Sequence, residues 1–229
     1  MRSFRRLIIG VFASFGMTAV AMAQTPAPTM PSAATQPQQF VGSSAPSVAG
    51  RVEQYLLTPH GEVEGLLLAD GTAVRFTPHL GVTLASTVRP GDNVSAVGFL
   101  GPGTSYGRAL KALTITNTAS GQTVVDQPPT SRPVPPHLRG LAQVPLTVSG
   151  TVAHFLTNPK GDVDGLVLAT GEQVKFKPHH GALILTMLGR TSGAITASGY
   201  GARNAFGTVV AAESITVGTQ TISLRGRGR

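Results

Sequence analysis

The feature that most constrains this chain is an internal repeat. When the 229-residue sequence is compared with itself, residues 50–81 match residues 150–181 at an offset of 100 positions, with 16 identities in 32 aligned pairs. Similarity at a fixed period indicates a structural unit that has been duplicated. The sequence therefore predicts two modules with the same fold, at residues 48–126 and 146–224.

The segments outside the two modules differ from them in composition. Residues 1–23 contain a basic leader, an apolar run and a terminal Ala-Met-Ala, which is typical of a cleavable signal peptide for export to a bacterial periplasm or beyond. Residues 24–47 and 127–145 hold 5 and 6 of the 17 prolines, so we expect extended linkers there. Residues 225–229 form a basic tail. Because the chain has no cysteine, its stability must come from apolar cores.

Within each module the residue pattern predicts strands. In the first copy the predicted strands are residues 48–57, 63–69, 72–76, 94–100 and 110–116, with a short sixth strand at 121–125 and helical character at 78–85. Three strands, a short helix and two further strands are the order of an OB-like barrel. The predicted fold class is all-β, with two tandem OB-like small β-barrels, each with one short helix between strands three and four.

Two sequence stretches carry a resemblance to a known group of proteins. The stretch from Gly65 through Pro78-His79, together with Pro90-Gly91-Asp92 before the fourth strand, resembles the OB-fold-like tandem modules of small exported bacterial proteins. The second copy keeps the first stretch and has Gly-Arg-Thr-Ser-Gly at residues 189–193 in place of the second. The resemblance covers both modules and implies a barrel fold and an exported protein.

The predicted hairpin between strands two and three determines which side chains share a face. If Asp70-Gly71 is a two-residue turn, Leu67 pairs with Val74, and the face opposite the core carries both apolar and basic residues. The candidate ligand-binding residues on this face are Leu66, Leu68, Arg75, Leu166, Leu168 and Lys175. Exposed leucines in both copies mean either that the register differs, or that the other module, a linker or a partner covers this face.

The same register places a carboxylate opposite a histidine in both copies. Glu62 faces His79 and Asp162 faces His179, with His180 adjacent. Such a pair either closes the open end of the hairpin or forms half of a site for a divalent transition metal or a pH response, since imidazole binds zinc, copper and nickel and titrates near neutrality. Neither copy shows the three or four ligands that zinc requires. The sequence indicates no other cofactor.

The distribution of charge argues against nucleic-acid recognition by the barrels. The formal net charge is +8, but the first module carries −1 and the second +1, so the excess lies in the signal, the linker and the tail. The predicted hairpin face has no aromatic ring on which a base could stack. Weak binding of nucleic acid or another anionic polymer is therefore expected only through the basic tail at residues 225–229.

Sequence motifs give no support for an enzyme. The chain has no cysteine nucleophile and no His-Glu-x-x-His helix, and the glycine-rich residues 101–107 lack the lysine of a phosphate-binding loop. Because residues 101–107 connect two predicted strands, a hairpin loop is expected there. We predict an exported, non-catalytic binding protein that interacts with an envelope protein or an anionic polymer.

Overall fold

The computed structural model describes residues 45–132, 134–135, 142–189 and 193–225. The predicted signal peptide, most of the first linker and all but Arg225 of the basic tail lie outside these residues. Parts of the second linker are also outside them.

Each module consists of six strands and one α-helix within the described residues. The first module contains β1 (Ser47–Leu57), β2 (Val63–Leu68), β3 (Ala73–Arg75), α1 (Gly81–Thr87), β4 (Asn93–Leu100), β5 (Ala109–Asn117) and β6 (Thr123–Val125). The second module contains β7 (Val144–Thr157), β8 (Val163–Leu168), β9 (Gln173–Lys175), α2 (Pro178–Leu188), β10 (Ala194–Asn204), β11 (Gly207–Val217) and β12 (Gln220–Ser223). A 3₁₀ turn at Pro78–Leu80 precedes α1.

Five strands of each module close into a barrel. The long β1 pairs with β4 through its first half and with β2 through its second half, and a parallel pairing of β3 with β5 closes the circle. The second module repeats these pairings, with β9 parallel to β11. Each helix lies between the third and fourth strands, so the predicted all-β fold class of two tandem small barrels, each with one short helix, is confirmed. The short strands β6 and β12 extend the sheets beyond the barrels.

The register of the β2–β3 hairpin differs by one residue from the prediction. Leu66 pairs with Val74 and Leu67 with Ala73. The turn has three residues, because the Leu68 amide donates to the Thr72 carbonyl and Gly71 adopts a positive φ of 80°. A type I turn followed by a left-handed glycine is a common three-residue hairpin loop. The shift moves Leu66, Leu67 and Leu68 of β2 to the opposite face from the predicted one, while Val74 of β3 stays in the core.

This shift places the predicted surface leucines in the barrel cores. Leu66 and Leu68 are fully buried in the core of the first barrel, and Leu166 and Leu168 have the same position in the second. The prediction that these four residues form a surface is therefore wrong. Their apolar character in both copies reflects packing inside each barrel.

Leu67 and Val167, which the shift turns outward, belong to a third apolar cluster that contains residues of both modules. This cluster is fully buried and draws from the hairpins and neighbouring strands of both barrels; its members are Leu56, Leu67, Ala73, Ala109, Leu156 and Val167. Since Leu67 and Val167 point away from their own barrel cores, the other module must supply their burial. The hairpin face is therefore a docking surface between the two barrels.

The aromatic contacts between the modules occur twice, each time with the equivalent residues taken from the opposite modules. The Tyr55 ring packs edge-on against Phe206 with 5.6 Å between ring centroids, and Phe155 packs against Tyr106 at 5.2 Å. Tyr55 is equivalent to Phe155 in the repeat, and Tyr106 to Phe206. Such reciprocal pairing is the pattern of a two-fold symmetric interface, here formed within one chain.

Candidate functional site

The two basic residues of the predicted ligand-binding set lie at the interface between the barrels. Arg75 donates one hydrogen bond to Glu64 at 2.8 Å and one to Asp164 of the second module at 2.7 Å. Lys175 donates to the same oxygen of Glu64 at 2.5 Å. The four side chains thus form an ion cluster in which each cation contacts an acidic residue of the opposite module. The positive charges of Arg75 and Lys175 are paired within this cluster, so these side chains are not available to bind a ligand.

Burial changes the proton affinities within this ion cluster. Desolvation lowers the pKa of Lys175, the nearby Arg75 lowers it further, and Glu64 opposes both effects. Desolvation raises the pKa of Asp164, although Arg75 and Lys175 favour its ionised form. Burial therefore disfavours the ionised forms of both Lys175 and Asp164, and the opposite charges beside them stabilise those forms.

The loops that OB barrels use for ligand binding are also engaged between the modules. These are the loops after the first and fourth strands, which flank the face of strands two and three. Asn204 donates a hydrogen bond to the Gly61 carbonyl at 2.8 Å. In the reciprocal contact, a Cβ placed on Gly161 would lie 2.9 Å from Pro102. Each barrel therefore covers the usual ligand face of the other.

The predicted histidine–carboxylate pairs do not lie opposite each other on strands. β2 begins after Glu62 and β3 ends before His79, so the cross-strand pairing is wrong for the first copy. His79 lies in the 3₁₀ turn, where its Nε2 is 2.8 Å from the Gln127 carbonyl oxygen. In the second copy Asp162 accepts a hydrogen bond from the Asn158 side chain, while His179 lies within α2.

The histidine ring of His180 packs against that of His179, with 4.0 Å between centroids. Burial lowers the pKa of His180, and the neighbouring His179 lowers it further. Within the described part of the chain, no group of three or more His, Cys, Asp or Glu residues is placed to hold a metal ion.

The glycine-rich residues 101–107 connect β4 to β5, as expected for a hairpin loop. Gly103 to Gly107 follow the pattern Gly-x-Ser-x-Gly, which in hydrolases places a serine on a turn from a strand to a helix. Here the same letters lie in a loop between two strands, closed by reciprocal hydrogen bonds between Thr104 and Gly107. The structural context of a nucleophile is therefore missing.

The outer face of the second module carries a regular array of hydroxyl groups. Four neighbouring strands, β7, β10, β11 and β12, each contribute two outward Ser or Thr residues separated by one inward residue. The strand registers align them as two rows, Ser149–Thr196–Thr216–Thr221 and Thr147–Ser198–Ser214–Ser223. We call these eight residues the hydroxyl array.

Hydroxyl pairs within the array bond to each other across the strands. Ser149 and Thr196 are 2.9 Å apart, as are Thr147 and Ser198, and Thr216 lies 2.8 Å from Thr221. Ser214 and Ser223 make no side-chain hydrogen bond to another described residue. Inward residues such as Ile215 are fully buried beneath the array. The array therefore stands on a packed core and retains free hydrogen-bonding capacity.

A shallow groove of about 510 Å³ runs along the second row of the array. On its other side are the half-exposed ring of Tyr200 and an ion pair in which Arg225 donates to Glu213 at 2.5 Å. We call this the module 2 groove. Its volume is within the range of small-ligand sites.

The equivalent outer face of the first module is more apolar in its second row, although its first row, Ala49–Ser95–Thr116–Thr123, keeps three hydroxyl groups. Its second row reads Ser47–Val97–Thr114–Val125, and Phe99 occupies the position of Tyr200. The ring of Phe99 is 63% exposed, Val125 is 45% exposed, and Leu113 is also exposed. Clustered exposed apolar residues are typical of an interaction surface. We call Phe99, Leu113 and Val125 the module 1 patch.

Sequence reasoning missed both outer faces. The available signal was the alternation Thr-x-Ser or Ser-x-Thr in four separate segments of the second copy. These four segments can be recognised as one surface only when the register of all four strands is known, because neighbouring residues in the array come from distant positions in the chain. The recurrence of an aromatic residue at Phe99 and Tyr200 predicts core positions, and the structure exposes both.

Comparison of the chain with models of protein families, with curated proteins and with solved structures gives no match. In the described part of the chain, neither helix has the length and apolar character needed to cross a membrane.

Proposed function

We propose that this protein is an exported, non-catalytic binding protein that attaches to a component of the bacterial envelope through the outer faces of its docked barrels. The observation that carries the proposal is the covering of the usual OB ligand face by the second barrel. We place the binding at the module 1 patch and the module 2 groove, whose residues are not part of the apolar cluster or the ion cluster between the barrels.

The chemistry of the two outer faces supports binding over catalysis. The module 1 patch offers apolar area, and the module 2 groove offers hydroxyl groups, one ring and one ion pair. In the groove, Ser198 is hydrogen-bonded to Thr147 and Glu213 is paired with Arg225, so the serine and the carboxylate are not joined as the nucleophile and general base of acyl transfer would be. The predicted signal at residues 1–23 supports export, and recovery of a protein that begins at Gln24 from a bacterial periplasm would test that part.

Sedimentation with isolated envelope fragments tests the proposed attachment. The mature protein, residues 24–229, should sediment with the fragments, and the double variant Phe99→Ser with Leu113→Ser, or Tyr200→Ala, should reduce the bound fraction severalfold. Val82→Ser is the matched control, because Val82 is an apolar residue of α1 that is 80% exposed and belongs to neither the module 1 patch nor the module 2 groove. Absence of sedimentation, or equal sedimentation of all variants, would contradict the proposal.

A further inference from the structure

We infer that the module 2 groove binds a chain of neutral sugar residues. The inference rests on the proposed binding function and names the ligand class for one of its two faces. It is carried by the hydroxyl array, the exposed ring and the neutral ion pair that meet in this groove.

The floor of the groove matches the hydrogen bonding of sugars. Each sugar hydroxyl both donates and accepts hydrogen bonds, and Ser and Thr hydroxyls also do both. The row Thr147–Ser198–Ser214–Ser223 places one such group on each of four adjacent strands. With strands about 4.8 Å apart, the row spans roughly 14 Å. That length accommodates several sugar rings in line across the strands.

The border of the groove supplies a flat apolar ring and a pair of charged side chains, which are two further features that bind sugars. The ring of Tyr200 is 43% exposed and provides a flat apolar surface for the C–H face of a sugar ring. The Glu213 carboxylate accepts hydrogen bonds and the Arg225 guanidinium donates several in fixed directions. Because these two charges are paired, the groove favours a neutral ligand over an anionic one.

Other polymers fit the groove less well. A nucleic-acid strand needs unpaired cations along its backbone and several stacking rings, and the groove offers one ring and one paired cation. A peptide could add a strand beside β12, which pairs only with β11 among the described strands. Such a peptide would bond to the strand edge and would leave Tyr200 and the array unused.

Titration of the mature full chain with neutral oligosaccharides tests the inference. The probes are hexasaccharides of β-linked glucose, β-linked N-acetylglucosamine and α-linked glucose, and the readout is the amide chemical shifts of nitrogen-labelled protein. At least one probe should give saturable shifts confined to β7, β10, β11 and β12. Tyr200→Ala should weaken this binding about tenfold, and Ser214→Ala combined with Ser223→Ala about fivefold.

Val82→Ser is the control, since Val82 is an exposed apolar residue of the first module that does not line the groove, and it should leave the affinity unchanged. Tyr200→Leu keeps an apolar side chain at this position, and it replaces Tyr200→Ala in the titration if the alanine variant lowers the melting temperature. Absence of saturable shifts at about 10 mM of every probe would overturn the inference. So would binding that neither Tyr200 variant weakens, or shifts of the groove amides with a DNA strand or a peptide in place of sugar.

The outcome is distinguishable from failure of the proposed function. If no oligosaccharide binds but the protein still sediments with envelope fragments, only the sugar specificity is wrong. If both experiments fail, the attachment function itself is wrong.

Discussion

At the scale of residues, four charged side chains make the docking of the barrels specific. Glu64, Arg75, Asp164 and Lys175 are each less than a quarter exposed and have no net charge together. Removing charges from water costs several kcal/mol per ion, so the cluster contributes little net stability. What it provides is a penalty for any other arrangement of the barrels, because separation or sliding would leave a buried charge without its partner.

A double-mutant experiment measures this penalty. Glu64→Gln should lower the free energy of unfolding by about 2 kcal/mol, since Lys175 then loses its carboxylate partner in a buried place. Adding Lys175→Met should recover most of the loss, because an apolar side chain of similar volume needs no partner. Urea denaturation gives both values.

Arg108→Gln is the control for this experiment. It removes an ion pair with Asp70 that is about half exposed and 3.8 Å long, and exposed pairs of this kind contribute less than about 1 kcal/mol. A double variant as unstable as Glu64→Gln alone would show that the cluster does not act as a unit.

At the scale of elements, the sequence predicted most strands within two residues of their observed ends. The β-rich runs and the turn residues between them carried that information. The register of the β2–β3 hairpin was wrong because Asp70-Gly71 also fits a three-residue loop, in which Gly71 takes the left-handed position after Ala69 and Asp70. One residue of loop length exchanged the two faces of β2, so Leu66 and Leu68 lie in the core and Leu67 lies at the interface.

The same error explains why the docking surface was assigned to the wrong residues. An interaction between the modules over the hairpin face was one of the open alternatives, and the structure places it there through Leu67 and Val167. The histidine–carboxylate pairs depended on the same register, and the structure places Glu62, His79, Asp162 and His179 outside the hairpin strands. The hydroxyl array needed the pairing of four distant segments, which no local pattern specifies.

The contact of α1 with β2 gives a prediction at this scale. A Cβ on Gly81 would lie 2.2 Å from the Val63 carbonyl oxygen, although its φ of −59° suits any residue. Alanine normally stabilises a helix relative to glycine by about 1 kcal/mol. Here Gly81→Ala should instead destabilise the protein by about 1–3 kcal/mol, because the helix must move away from the strand.

Thermal unfolding of Gly81→Ala beside Gly103→Ala checks this prediction. Gly103 lies in the β4–β5 loop, and a Cβ added there would meet no atom within 4 Å, so its variant should melt close to the unmodified protein. A melting temperature of Gly81→Ala at or above that of the unmodified protein would show that α1 does not pack as described.

At the scale of the whole molecule, duplication changed what the barrel can do. A module of about 80 residues buries only about 60% of its unfolded surface, so a single barrel is marginally stable. Docking through the hairpin face adds a shared apolar cluster and removes that face from ligand binding. The two outer faces both carry hydroxyl groups in their first rows and differ in their second rows, where the first module has Val97 and Val125 and the second has Ser198 and Ser223.

The most direct test of this account is the reactivity of single cysteines, because the natural chain has none. Leu66→Cys lies inside a barrel, Leu67→Cys lies at the interface and Phe99→Cys lies on an outer face. In the folded protein, the account predicts that a thiol reagent labels Phe99→Cys rapidly, and labels Leu66→Cys and Leu67→Cys only at the rate of unfolding. Labelling of Leu67→Cys as fast as Phe99→Cys, in a protein whose Leu66→Cys stays protected, would show that the barrels do not dock through the hairpin face.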